Sequence, residues 1–335
     1  MLLHFLKSKA GKTIAGVLII NFCCISITLA SDPYTGPIID MHLHAFPADG
    51  NGPAPNVICP GIAANLKYDS KEPWPAVLGR MMQEPPCDNP IQGPATDEEV
   101  RNQTIEYMKK YNVRGVLSGT TDEIKKWQAA APGLFIPGLG LNIRRDEMTP
   151  EEISRLFDAG EMEVLAEVTN QYSGVLADNP DFAPFWKVAA EKDIPVGIHI
   201  GVGPPGAPHL YPDFLVQSPL RVENVLRQYP TLRIYLMHAG YPFLEDLKAL
   251  LYLYPQLYIG VGVLQIALPR EEYYRFLGAL VTSGFIDRIM FGSDQMNWPG
   301  AIEEGINAIN HAPFLSVEQK QAILHDNAVR FLRLD

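Results

Sequence analysis

Six side chains, far apart in the sequence, share one chemical competence: His42, His44, Glu167, His199, His238 and Asp294. Each offers an imidazole nitrogen or a carboxylate oxygen, the donors that divalent cations take from proteins. His42 and His44 follow an apolar run that begins at Ile38-Ile39. In a strand, a spacing of two puts both imidazoles on one face. Two imidazoles converging from one strand end make half of a metal site. A cation held this way acidifies water and polarises carbonyl groups. Taken singly, each residue has a plainer reading. A histidine pair can be polar packing, His199 or His238 a satisfied strand-end histidine, Glu167 a salt-bridge partner, and Asp294 a turn cap. The question is whether the chain brings them together.

The elements that must do so are short and apolar. Residues 38–41, 113–118, 134–141, 164–168, 195–200, 232–238, 257–263 and 288–293 read as strands. Helical patterns fall between almost all of them, and two more, 301–310 and 317–331, finish the chain. Thr96 before Asp97-Glu98-Glu99 and Thr149 before Pro150-Glu151-Glu152 are helix starts, with a cap and early acids. Near-continuous apolar strands require cover on both faces, and strand–helix alternation implies a parallel sheet. Eight such units predict a closed (β/α)8 TIM barrel, with an open doubly wound sheet as the alternative. In a barrel the C-terminal strand ends meet over one mouth, and those ends carry the six donors. Gly201-Val202-Gly203-Pro204-Pro205-Gly206 is glycine-rich, but its prolines and missing helix start argue against a dinucleotide loop.

Residues 46–95 form a long proline-rich insertion after the first strand, with ten prolines. Proline fixes φ and removes a donor, so no long helix or central strand is expected there. Trp74, Met81 and Met82 supply apolar anchors, and the insertion reads as a wall or lid over the histidine pair.

The chain has 335 residues, a hydrophobic fraction of 47% and a net charge of −11, enough for one large core. No basic stripe interrupts the acidic balance, so nucleic-acid binding is not expected. Lys7, Lys9 and Lys12 precede an apolar run from residue 14 to 30 that ends Thr28-Leu29-Ala30. This is a secretory signal pattern, with residues 31–335 as a single mature domain in the periplasm or outside the cell. A retained membrane anchor is the second choice, because the run is shorter than the usual span of about 20 residues. A lipoprotein is less well supported, since Asn21-Phe22 fits poorly before Cys23 and Cys24. Without the leader, Cys59 and Cys87 are the only cysteines, and an oxidising compartment predicts that they pair.

Asp40-Met41-His42-Leu43-His44, His199, His238 and Phe291-Gly292-Ser293-Asp294 together resemble the amidohydrolase superfamily, in its amidohydrolase-2 branch. The ending Ile323-Leu324-His325-Asp326-Asn327-Ala328-Val329-Arg330-Phe331 is similar to that branch's last helix. The resemblance implies that His42, His44 and Asp294 ligate metal. It gives His199 to the same or a second ion, and has His238 complete a binuclear site or orient substrate. A binuclear member needs a bridging carboxylate, for which Glu167 is in place; if Glu167 points elsewhere, a mononuclear site follows. The activity implied is metal-dependent hydrolysis of an ester, lactone or amide-like bond, with Asp294 moving the proton. The ion expected is Zn²⁺, with Mn²⁺ or Fe²⁺ also suited.

The strongest rival is non-oxidative decarboxylation of an aromatic or unsaturated acid, which some members of the branch perform. A binding protein that kept the barrel and its metal is the rival of another class. For the small-molecule substrate, Arg144 or Arg145, Tyr172, His209, Tyr211 and Trp298 lie on loops that follow the strands and are candidates to contact it. Arg144 and Arg145 have solvated surface charge as their plainer reading. A homo-oligomer is compatible with the sequence.

Overall fold

The computed structural model describes residues 31–201, 203–206 and 214–334. The leader predicted over 1–30, and His209 and Tyr211, lie outside the described residues.

Among the described residues, ten strands follow in chain order: β1 (Ile38–His44), β2 (Val57–Ile58), β3 (Ile91–Gln92), β4 (Val113–Gly119), β5 (Phe135–Leu141), β6 (Val164–Val168), β7 (Val196–His199), β8 (Ile234–Met237), β9 (Leu257–Gly260) and β10 (Ile289–Met290). β1 and β4 to β10 form one parallel sheet of eight strands in sequence order. The ends are joined by backbone bonds from Met41 N–H to the Phe291 carbonyl, 3.0 Å, and from Asp294 N–H to the His42 carbonyl, 2.8 Å. This is the expected TIM barrel.

Alternation along the strands creates two apolar layers. Ile38, Leu117, Phe135, Leu165, Ile234 and Leu236 face the surrounding helices. Ile39, Met41, Val116, Ile136, Val164, Ala166, Tyr235 and Met237 fill the barrel. Gly197 makes this packing fit, because a Cβ there would lie 2.5 Å from the Tyr235 ring. Ala328 and Phe331, from the final helix Asn327–Leu332, close the interior layer from one end. The predicted helix over 317–331 is divided into Val317–Gln321, a π-turn Ala322–Asp326 and Asn327–Leu332. There the Ile323 carbonyl accepts the Phe291 N–H at 2.9 Å, so the last helix completes the pairing of the segment after β10.

The insertion is more regular than its prolines predicted. It contains a ten-residue helix, Trp74–Gln83, and the antiparallel pair β2–β3. The prolines are tolerated because Pro73 is the N-cap and Pro75 stands in the first turn, where the missing N–H has no helical partner anyway. Cys59 and Cys87 are disulfide-bonded, as expected. Gln83 Nε2 donates to the Pro53 and Pro55 carbonyls, tying the helix to the insertion's root. Trp74 lies against Gly206 after β7, so close that a Cβ at 206 would overlap its indole.

Candidate functional site

β1 would not present both imidazoles by simple alternation. Ile39 and Met41 already face the interior, which would turn His42 outward. The β1–β4 register shifts between Asp40 and Leu43. Past that bulge Leu43 faces the helices and His42 and His44 face the mouth. β6 repeats the device. Val164 and Ala166 face inward, and the register shifts between Leu165 and Val168. Val168 is thereby returned to the outer layer and Glu167 to the interior. Two irregularities thus re-aim three donors.

Side chains hold these irregular segments. Asp40 Oδ1 accepts the His42 N–H at 2.9 Å and the Ser293 N–H at 3.0 Å, joining the two ends of the sheet. Ser118 Oγ accepts from Glu167 N–H and donates to the Ala166 carbonyl, both at 2.7 Å. His42 itself sits on glycines: a Cβ at Gly262 or Gly292 would lie 2.8 Å from its side chain.

The six donors converge. The Nε2 atoms of His42 and His44 are 2.9 Å apart, and Asp294 Oδ1 is 2.9 Å from His44 and 3.5 Å from His42. Glu167 divides its oxygens. Oε2 lies 3.7 Å from both His42 and His44. Oε1 contacts His199 Nδ1 closely and lies 3.7 Å from His238 Nε2. His199 Nδ1 and His238 Nε2 are 3.1 Å apart. All six residues are buried except His44, at 14% side-chain exposure.

The chemistry of this set fits a divalent cation. His238 Nδ1 lies 2.9 Å from the Gly262 carbonyl, which only accepts, so Nδ1 carries the proton and Nε2 presents a lone pair inward. Tyr172 OH is 2.9 Å from His199 Nε2 and holds that ring with Nδ1 toward Glu167. Nitrogens and carboxylate oxygens therefore face each other with too few protons between them. The geometry supports ion binding by His42, His44 and Asp294, and by His42, Glu167 and His238. Without an ion the charges adjust to one another. Burial pushes His42 down, and burial together with His238 lowers His199 to about 4. Burial opposes charge on His44 and His238, yet Asp294 and Glu167 raise both. Burial likewise opposes ionised Glu167 and Asp294, but the facing histidines hold both carboxyls well below their usual range. Asp40, with less compensation for its burial, is raised to about 6.

The other candidates divide. Tyr172 stands at the cluster. Arg144 is instead paired with the exposed Asp181 at 2.9 Å, outside the cluster. Arg145 reaches the Tyr172 carbonyl at 3.4 Å. Trp298 is 3% exposed and packs beside Gly93 of the insertion. Sequence reasoning gave no role to Ser118 or Gln295, and Asp40 entered only as part of a motif. They carry no metal-ligand spacing, and only the fold brings them to their backbone partners.

A parallel barrel with a buried histidine–carboxylate cluster at its mouth defines a metal-binding TIM-barrel protein. The amidohydrolase family model matches residues 39–334, and the chain belongs to that family, in its amidohydrolase-2 branch. Comparison with curated proteins finds no match. Among solved structures, the chain is similar to an uncharacterised TIM-barrel protein from Bordetella bronchiseptica, at 18% identity and TM-score 0.62, covering 89% of this chain and 99% of that one. It is similar to a probable 2-pyrone-4,6-dicarboxylic acid hydrolase from Acinetobacter baumannii with citric acid bound, at 15% identity and TM-score 0.56, covering 89% and 100%. It is also similar to a 5-carboxyvanillate decarboxylase from Novosphingobium aromaticivorans complexed with manganese and a nitrobenzoic acid, at 15% identity and TM-score 0.56, covering 91% and 100%.

Proposed function

We propose that the protein is a metal-dependent hydrolase acting on an ester, lactone or amide-like bond of a small molecule. The observation that carries this reading is the division of Glu167 between two histidine pairs, Oε2 toward His42 and His44 and Oε1 toward His199 and His238. A carboxylate so placed suits a pair of ions. His42, His44 and Asp294 would hold one, His199 and His238 the other, and Glu167 would serve both. Divalent cations there, Zn²⁺ first among them, supply Lewis acidity to a carbonyl oxygen and acidity to water. Asp294 Oδ1, at the centre of the His42–His44 side, accepts the proton of the attacking water and passes it to the leaving group. His238 keeps its Nε2 turned inward through the bond to Gly262, as a ligand of the second ion requires. Tyr172, half-buried over His199, forms one wall for the substrate.

A second reading has support of its own. His42, His44 and Asp294 alone make a complete three-donor group, and a decarboxylase is among the similar structures. That reading is decarboxylation of a small aromatic or unsaturated acid with one ion. Assay of the metal-loaded protein on a panel of lactones, esters and amides, alongside CO₂ release from aromatic and unsaturated acids, separates the two. Hydrolysis without CO₂ supports the proposal; CO₂ release without hydrolysis replaces it. Export is proposed with it, on the support of the leader pattern and the Cys59–Cys87 bridge.

A further inference from the structure

Gln295 follows Asp294 directly and is fully buried. Its side-chain amide meets the main chain of His44 twice. Oε1 accepts the His44 N–H at 2.9 Å, and Nε2 donates to the His44 carbonyl at 2.6 Å. Nε2 also lies 3.2 Å from the Met296 carbonyl. A main-chain N–H only donates and a carbonyl only accepts, so the orientation of the amide is fixed by its partners.

His44 needs such a partner. It is the last residue of β1 and the most exposed of the six donors. On one side it pairs with Ser118 of β4. On the other, β10 ends at Met290, four residues before Asp294. The Gln295 amide has the same donor and acceptor as a peptide, and it fills the place that a further strand residue would take. The turn that brings it there is unusual. Asp294 and Met296, on either side, have φ of 52° and 44°, a region that side chains other than glycine seldom adopt.

We infer that Gln295 is a positioning residue: it locks the His44 main chain, so that the His44 imidazole is aimed by the same turn that presents Asp294. The inference rests on the metal reading proposed above. Leucine at this position would fill the volume and leave a His44 N–H and carbonyl without partners. Those groups would then turn to find others, carrying the ring with them.

The test is a cobalt(II) titration of metal-free wild type, Gln295→Leu and Gln295→Glu, read by visible d–d absorption, with thermal melting of the same metal-free samples. The bands of the His42–His44–Asp294 group are identified as those lost in His44→Ala. Gln295→Leu should weaken cobalt binding in that group by about 10–100-fold and shift its bands. Gln295→Glu keeps the acceptor for the His44 N–H but turns an acceptor oxygen toward the His44 and Met296 carbonyls, so it too should bind cobalt more weakly than wild type. A role confined to packing would lower the melting midpoint and leave affinity and bands unchanged, and that result overturns the inference. Should Gln295→Leu fail to fold, the nearly isosteric Gln295→Glu carries the comparison, and wild-type affinity in it is likewise fatal. Wild type that takes up no cobalt refutes the metal reading and the inference with it, and is distinct from a loss confined to the variants.

Discussion

Asp294 is where the proposed chemistry concentrates. Its Oδ1 touches both β1 imidazoles, and those rings keep it ionised despite burial. A group that binds and also moves a proton should be sensitive to loss of charge. Asp294→Asn is expected to reduce kcat by about 10²–10⁴-fold, the range for loss of a general acid–base group. A kcat within threefold of wild type, at matched metal content, would count against the role. The histidines predict a pH dependence of a definite sign. His44 and His238 hold protons more tightly than ordinary imidazoles when no ion is present. A cation must displace those protons, so metal affinity should fall as pH drops, starting at a higher pH than ordinary imidazoles would set. Isothermal titration at pH 8, 7 and 6 checks this; affinity constant or rising toward pH 6 contradicts it.

At the scale of elements, the bulges in β1 and β6 do what propensity could not foretell. The apolar runs announced eight strands, and Thr96 and Thr149 cap the helices they were expected to start. The His42–His44 spacing and the strand-end donors were also legible, because polar residues at the end of apolar runs stand out. A register shift leaves no mark in composition, so the inward turn of Glu167 was not readable. Nor were the backbone contacts of Ser118 and Gln295, which join segments far apart in sequence. The insertion misled for a different reason: prolines at Pro73 and Pro75 mark a helix start as readily as a break. That insertion supports a prediction at its own scale. The Cys59–Cys87 bridge spans 28 residues of chain separation. By chain entropy a loop of this size is worth about 3–4 kcal/mol. Replacing both cysteines with serine should therefore increase proteolysis within residues 46–95 well before the barrel melts. Unchanged protease resistance would show that Trp74 and Gln83 suffice to hold the insertion.

Over the whole molecule, the first described residues lie against two of the C-terminal helices. Lys320 is fully buried, and its ammonium donates to the Ser31 and Asp32 carbonyls at 2.8 and 3.0 Å. Tyr34 N–H adds a bond to Asn310 Oδ1 at 2.9 Å. Deleting residues 31–34 should cost about 1–3 kcal/mol, because it removes two acceptors of the Lys320 ammonium. Lys320→Met in the shortened chain should recover most of that loss; urea melts showing no recovery would assign the effect to packing. The six donors gathered at the barrel mouth define the central claim: two divalent cations at one mouth, required for hydrolysis. Elemental analysis of protein purified without chelator, then stripped and reloaded, measures it most directly. The expected result is two equivalents of divalent metal per chain, with hydrolysis lost on stripping and restored on reloading. Protein that carries no metal, or that hydrolyses equally well after complete stripping, would contradict it.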